Sequence, residues 1–225
     1  MREPPKILYL DNHLLIANKP AGLLTQETKG NLNSLENWGK VFLQETTKKT
    51  KVFLQVAHRL DRVASGIVVL ARTSKALSRL HAMFRLRQTK KVYMAWVENS
   101  FRNGGGEYRD YITHESYMAK IVKTRQPANA HLSYQVLSEV DSFSLVKIIL
   151  HTGRYHQIRC QLAYHGHPIL GDSKYGSNFV LSNGIALHHS EFHYSHPVTK
   201  QSTVVMSVPN FLEIEQKYNL SYSVS

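Results

Sequence analysis

The segment His58-Arg59-Leu60-Asp61-Arg62-Val63-Ala64-Ser65-Gly66 sets one carboxylate, Asp61, between two arginines. It forms a turn between apolar runs at 52–57 and 67–71. Side chains on such connections are often functional, because the flanking strands hold them rigidly. The structural alternative is an Asp that caps its own turn, with the arginines as partners. A second segment, Thr152-Gly153-Arg154-Tyr155-His156-Gln157-Ile158-Arg159, is followed by Gly166-His167-Pro168-Ile169-Leu170-Gly171-Asp172-Ser173-Lys174-Tyr175-Gly176. On a helix, His156 and Arg159 would share a face. Spacing alone therefore points to an anionic substrate and one useful carboxylate.

Between Arg72 and Lys91 stand seven cations (Arg72, Lys75, Arg79, Arg85, Arg87, Lys90, Lys91) and no Asp or Glu. A solvated helix face normally mixes signs, so this run reads as a track for a phosphate backbone. The 13 histidines raise the question of a metal. His188 and His189 would face opposite sides of a strand. No Cys or His-Glu-x-x-His frame joins them to His193 and His196 as ligands, so no metal is expected. Cys160 reads as a small packed residue rather than a nucleophile. Gly104-Gly105-Gly106 lacks the trailing Lys-Ser/Thr of a phosphate loop, so no nucleotide site is expected.

These groups need a scaffold. Residues 7–10 and 14–17 read as strand, turn, strand, closed by Lys19-Pro20-Ala21-Gly22. Leu32, Leu35, Trp38 and Phe42 predict a helix over 32–45, capped by Asn31 or Ser34. Strands are expected at 52–57 and 67–71, and Ser74 is the expected cap of a helix running to about Arg87. A strand at 92–97 leads to a turn at the three glycines, and 108–112 is expected to return beside it. Residues 132–140 and 143–151 predict a hairpin around Asp141-Ser142. Residues 154–165 predict a helix ended by Gly166 and Pro168, and late strands are expected at 185–194 and 203–208. Hairpin signals outnumber βαβ signals. The expected fold is α+β, with a mainly antiparallel, mixed sheet and flanking helices. It is read as a single domain over 1–225 with a C-terminal tail at 210–225.

The 225 residues carry 28 Lys+Arg against 16 Asp+Glu, a net charge of +12. That balance suits nucleic acid or an anionic membrane. The longest apolar stretch, 66–71, falls far short of the roughly 20 residues of a spanning helix, so no membrane is expected as a partner. The N-terminus has no apolar signal core. A single cysteine rules out an intrachain disulfide, and the expected location is cytoplasmic.

At these residues a resemblance emerges. Segment 58–66 resembles the His-Arg-Leu-Asp-x-x-Thr-Ser-Gly signature of the RluA-like RNA pseudouridine synthases. Lys91-Val92-Tyr93-Met94-Ala95 is similar to that family's Lys-x-Tyr-x-Ala strand, and 152–176 to its two later blocks. Asn18-Lys19-Pro20-Ala21-Gly22 and His196-Pro197 also stand where the family places such residues. Ala64 and Tyr155 depart from the pattern, which has Thr at both places. Because the catalytic pattern begins within the first ten residues, no S4 RNA-binding domain is expected, as in single-domain members that modify tRNA, rRNA or both.

The resemblance implies the pseudouridine synthase catalytic-domain fold and an isomerisation by base flipping that needs no cofactor, metal or nucleotide. It implies Asp61 as the catalytic carboxylate, attacking C1′ or C6 or assisting proton removal at C2′. Arg159 is the implied cationic partner that offsets the cost of an ionised carboxylate in a poorly solvated pocket. Tyr93 would stack on the base or shuttle a proton, and Arg59 would fill the gap left by the flipped uridine. Arg62, His58, His156, Gln157, Lys75, Arg79, Arg85 and Arg87 complete the expected RNA-contacting set. The expected partner is tRNA or rRNA, bound by a monomer. Two rivals are a non-catalytic RNA-binding module and a metal-dependent nuclease; the latter lacks the paired carboxylates it would need.

Overall fold

The apolar run that follows Asp61 becomes a strand buried on both faces. In the computed structural model, which describes residues 4–28, 30, 32–218 and 220, the elements in chain order are β1 (Lys6–Leu10), β2 (Leu14–Lys19), α1 (Leu35–Thr47), β3 (Gln55–Val56), β4 (Ser65–Ala71), α2 (Ser74–Arg85), β5 (Lys90–Glu98), β6 (Gly105–Asp110), β7 (Ile112–Glu115), β8 (Met118–Ile121), β9 (Ala130–Val140), β10 (Phe143–Leu150), α3 (Gln157–Tyr164), β11 (Leu187–Ser195), β12 (Ser202–Met206) and α4 (Leu212–Tyr218). They form two compact units, Met1–Lys90 with His189–Val208 and Lys91–His188 with Pro209–Ser225.

In the first unit the strand order is β1–β2–β4–β11–β12, with β3 also on β4. β2 and β4 are antiparallel, with Leu15 opposite Leu70 and Ile16 opposite Val69. Successive side chains point to opposite faces of a strand, and here each face meets a helix. α2 buries Ala76, Leu80 and Met83 in the cluster that holds Ile16, Val69 and Phe192. On the other face α1 brings Gly39 so close that a Cβ there would stand 2.6 Å from Leu54 and 3.8 Å from Leu15. A sheet covered twice explains why β2 and β4 are runs of Leu, Ile, Val and Ala rather than alternating sequences. Each such Leu, Ile or Val side chain, fully buried, contributes about 1.5–3 kcal/mol.

The second unit is built on the antiparallel order β5–β10–β9–β6. Tyr93 of β5 lies opposite Ile148 of β10, and the β9–β10 turn places Asp141 at φ 53. A separate hairpin, β7–β8, packs through Ile112 and Ala119 onto Cys160 of α3 and Tyr175. α+β with a mainly antiparallel sheet is therefore the fold class.

Several boundaries differ from the sequence reading. α1 begins at Leu35 because the Ser34 side chain accepts the Asn37 N–H; Asn31, the alternative cap, lies outside the described residues. α2 is capped by Thr73, not Ser74, through the Ala76 N–H at 3.1 Å. The 52–57 run pairs only as Gln55–Val56. The return strand expected at 108–112 beside β5 is β6, which pairs with β9 instead. It ends at Asp110 because Asn129 Oδ1 takes the Ile112 N–H and its amide gives to Ile112 O, turning the chain into β7. The helix expected from Arg154 starts at Gln157, since His156 is left-handed at φ 50. Within the segment expected to be a tail, Leu212–Tyr218 is helical, and Glu213 accepts bonds from the Ser182 N–H and hydroxyl. Residues 219 and 221–225 of that segment lie outside the described residues.

Candidate active site

Asp61 lies half-buried on the loop between β3 and β4. That loop is clamped from several sides. Thr25 Oγ1 donates to Leu60 O at 2.7 Å and accepts the Leu60 N–H at 3.2 Å. The Gly22 N–H donates to Arg62 O at 2.6 Å, while Arg62 Nε donates to Gly22 O at 3.1 Å. The Ala64 N–H closes the turn on Asp61 O at 3.1 Å.

The centre of the clamp is Lys19, which is 0% exposed. Its Nζ reaches Ala64 O at 2.7 Å, Leu23 O at 2.9 Å, Pro20 O at 3.0 Å and Arg62 O at 3.4 Å. Carbonyls from the Asp61 loop and from the segment after β2 thus converge on one amine. Burial pushes the Lys19 pKa down to about 7, and the Asp61 carboxylate pulls it back up. Gly66 closes the loop at φ +116, where a Cβ would collide with the His189 backbone. Only glycine fits there.

His58, expected among the RNA contacts, turns inward. Its Nε2 accepts the Val69 N–H at 3.2 Å, and its ring packs edge-on to Phe84 at 5.6 Å. Arg59, Arg62, Lys75, Arg85 and Arg87 are all exposed. Arg79 instead braces α2 by donating to Pro197 O at 2.8 Å. An open groove of about 520 Å³ collects Arg87, Lys90, His193, Ser195 and Thr203. Cations beside hydroxyls make it suited to anions.

The second unit holds the other two residues expected to be catalytic. Tyr93 is buried on β5. Arg159 is buried on α3 and forms a bidentate pair with Asp172, Nε to Oδ2 at 2.6 Å and Nη2 to Oδ1 at 2.8 Å. Its guanidinium also lies 4.9 Å from the centre of the Tyr175 ring. Such a pair fixes both position and orientation. The Tyr175 hydroxyl accepts the Ala119 N–H at 2.9 Å and stands 2.9 Å from His156 Nδ1. Burial pushes its pKa up to about 12, so the hydroxyl stays protonated at neutral pH.

Gln157 is not placed to meet RNA. It is buried, with Oε1 accepting from Thr152 Oγ1 and the Arg154 N–H, and Nε2 donating to His131 O and Gln161 Oε1. It shapes the loop that leads into α3. Of the four late histidines, His196 accepts the Val198 and Thr199 N–H groups on Nδ1, and His189 Nδ1 bonds Ile67 O. Among the described residues no three His, Cys, Asp or Glu converge as metal ligands. Lys19, Asp172 and Tyr175 stand in the sequence blocks without an assigned role, and Thr25 stands outside them. Lys19 carried a signal, a cation closing a mostly apolar strand.

A family model described as RNA pseudouridylate synthase matches residues 13–164. Ribosomal large subunit pseudouridine synthase C of Buchnera aphidicola subsp. Acyrthosiphon pisum is 32% identical over 205 residues, 85% of this chain. The chain spans only 63% of that relative's length. The dual-specificity RNA pseudouridine synthase RluA of Haemophilus influenzae is 33% identical over 213 residues, 91% of this chain and 93% of that protein. Among solved structures, human RNA pseudouridylate synthase domain containing 4 matches with a TM-score of 0.80 at 25% identity, covering 96% of this chain and 94% of the human one. No helix among the described residues is long and apolar enough to cross a membrane.

Proposed function

Because the chain belongs to the RNA pseudouridylate synthase family, we propose that it isomerises uridine to pseudouridine in structured tRNA or rRNA, in the cytoplasm and as a monomer. The C1′–N1 bond breaks, the base turns over, C1′ bonds to C5, and the C5 hydrogen leaves as a proton to water while N1 gains one. Atoms and electrons balance without a redox or phosphoryl partner, so the proposal includes no cofactor. Asp61 is the catalytic carboxylate. Tyr93 and Arg159 are its partners in the reaction, Arg159 held in orientation by Asp172. Base flipping exposes the uridine, with Arg59 filling the vacated stack, while Arg62, Lys75, Arg85 and Arg87 meet phosphates. Residues 1–225 act together as one catalytic domain, a reading supported by a family match that runs through both units.

The observation that carries the proposal is the Lys19 clamp, which fixes the backbone that carries a half-buried Asp61. An Asp that only capped its own turn would not need the carbonyls of Arg62 and Ala64 tied to a buried lysine. The test is release of tritium to water from RNA carrying uridine labelled at C5, with excess chelator present. Release supports isomerisation. Tight RNA binding with no release from total tRNA or rRNA would favour the non-catalytic binding module instead.

A further inference from the structure

The tip of the β7–β8 hairpin has a conformation that its residues do not favour. Glu115 pairs with Met118, leaving Ser116 and Tyr117 as a two-residue loop with φ 42 and 67. Both are left-handed, the pattern of a type I′ turn, where Asn and Gly are usual. A tyrosine in that state is strained, and this one is 79% exposed. The tip is tied down from the loop that leads into α3. Tyr155 donates its hydroxyl to Tyr117 O at 3.3 Å. Its ring stacks on His156 at 3.8 Å and 17°, and meets His114 at 4.4 Å. His156 in turn bonds Tyr175, the ring beside the Arg159 guanidinium. Tyr155 is also a position where the chain departs from its family pattern. At the tip Glu115 is paired with Lys120 at 3.2 Å; Lys123 and Arg125 are exposed beyond the base of the hairpin, and Arg154 is exposed beside Tyr155.

We propose that Tyr117, propped by Tyr155, is a stacking platform for an unpaired base of the RNA substrate, and that it helps decide which RNA is accepted. An aromatic ring presented to solvent matches a nucleobase, because every base offers a flat face, and the exposed Arg154 beside Tyr155 is the cation suited to its phosphates. The inference rests on the synthase reading and adds a specificity residue to it.

The test uses the full chain and a stem-loop RNA with 2-aminopurine among its unpaired loop bases, alongside tritium release from total tRNA and rRNA. Tyr117→Ala should weaken stem-loop binding by about 5- to 150-fold, the loss of one base–aromatic stack, and abolish quenching of 2-aminopurine. Tyr117→Phe should keep both. Tyr155→Phe, which loses only the hydroxyl that holds the tip, should give partial losses of affinity and quenching. Wild-type affinity and quenching in Tyr117→Ala, with tritium release intact, would overturn the platform while leaving the synthase reading standing. A change in solution mass with RNA affinity unchanged would assign the tip to contact with a second copy and overturn it too. Absence of release by the wild type would remove the synthase reading, and this inference with it.

Discussion

Replacing Lys19 by methionine keeps the approximate length of the side chain and removes its charge and donors. The amine is fully buried, and its pKa falls from 10.5 to about 7. Between those values the unfolded chain binds one more proton than the folded one. Stability must therefore rise with pH across that window. At about 1.4 kcal/mol per unit, the ammonium form costs about 5 kcal/mol below pH 7, and that cost is gone above about 10.5. The substitution Lys19→Met would also leave the buried Leu23 and Ala64 carbonyls without this donor, at about 1–3 kcal/mol each. The variant should thus be close to wild type in stability near pH 7 and clearly weaker at high pH. Urea unfolding followed by tryptophan fluorescence at pH 7.5 and 9.5 measures the difference. The gap between the two proteins should widen by about 2–3 kcal/mol over those two points. Parallel profiles would show that the carbonyls and Asp61 hold Lys19 charged throughout, and the reasoning about burial would be wrong.

Changing Lys75, Arg85 and Arg87 together to Gln should lower the log–log salt slope of RNA binding by about 2, at roughly 0.7 per phosphate contact; an unchanged slope would point this face away from RNA. Gly66→Ala puts a methyl into the His189 backbone and should cost at least about 3 kcal/mol, read as a lower urea midpoint; a loss under about 1 kcal/mol would mean the loop relaxes freely. Asp172→Asn leaves the buried Arg159 guanidinium without its counter-charge and should cost about 3–5 kcal/mol; a thermal midpoint equal to wild type would show that other groups hold Arg159.

The family blocks are more legible than the element boundaries. Asp61 is the one carboxylate within 58–66, and the blocks at 58–66 and 152–176 carry the family resemblance. Of the cation run at 72–91, Lys75, Arg85, Arg87 and Lys90 are exposed, while Arg72 donates to Asp11 O, Arg79 to Pro197 O, and Lys91 is partly buried. Helical spacing shows which residues share a side, not which side meets solvent. Gln157 and His58 elude a sequence reading for a related reason, since polar side chains near a motif serve equally to brace it. β6 joins β9 rather than β5 because strand partners are chosen by long-range packing, which local alternation does not encode. The left-handed His156 hides the true start of α3, because histidine's modest enrichment in that conformation is too weak to mark one position.

The most direct test of the account is Asp61→Asn, which preserves size and shape while removing the negative charge and the nucleophile. Pseudouridine formation should fall below detection, the protein should stay folded with a midpoint lowered only by the lost attraction to Lys19, and RNA affinity should be equal or tighter, because the phosphate-rich ligand no longer meets a carboxylate. A folded Asp61→Asn protein that still converts uridine at a comparable rate would contradict the assignment of Asp61 as the catalyst.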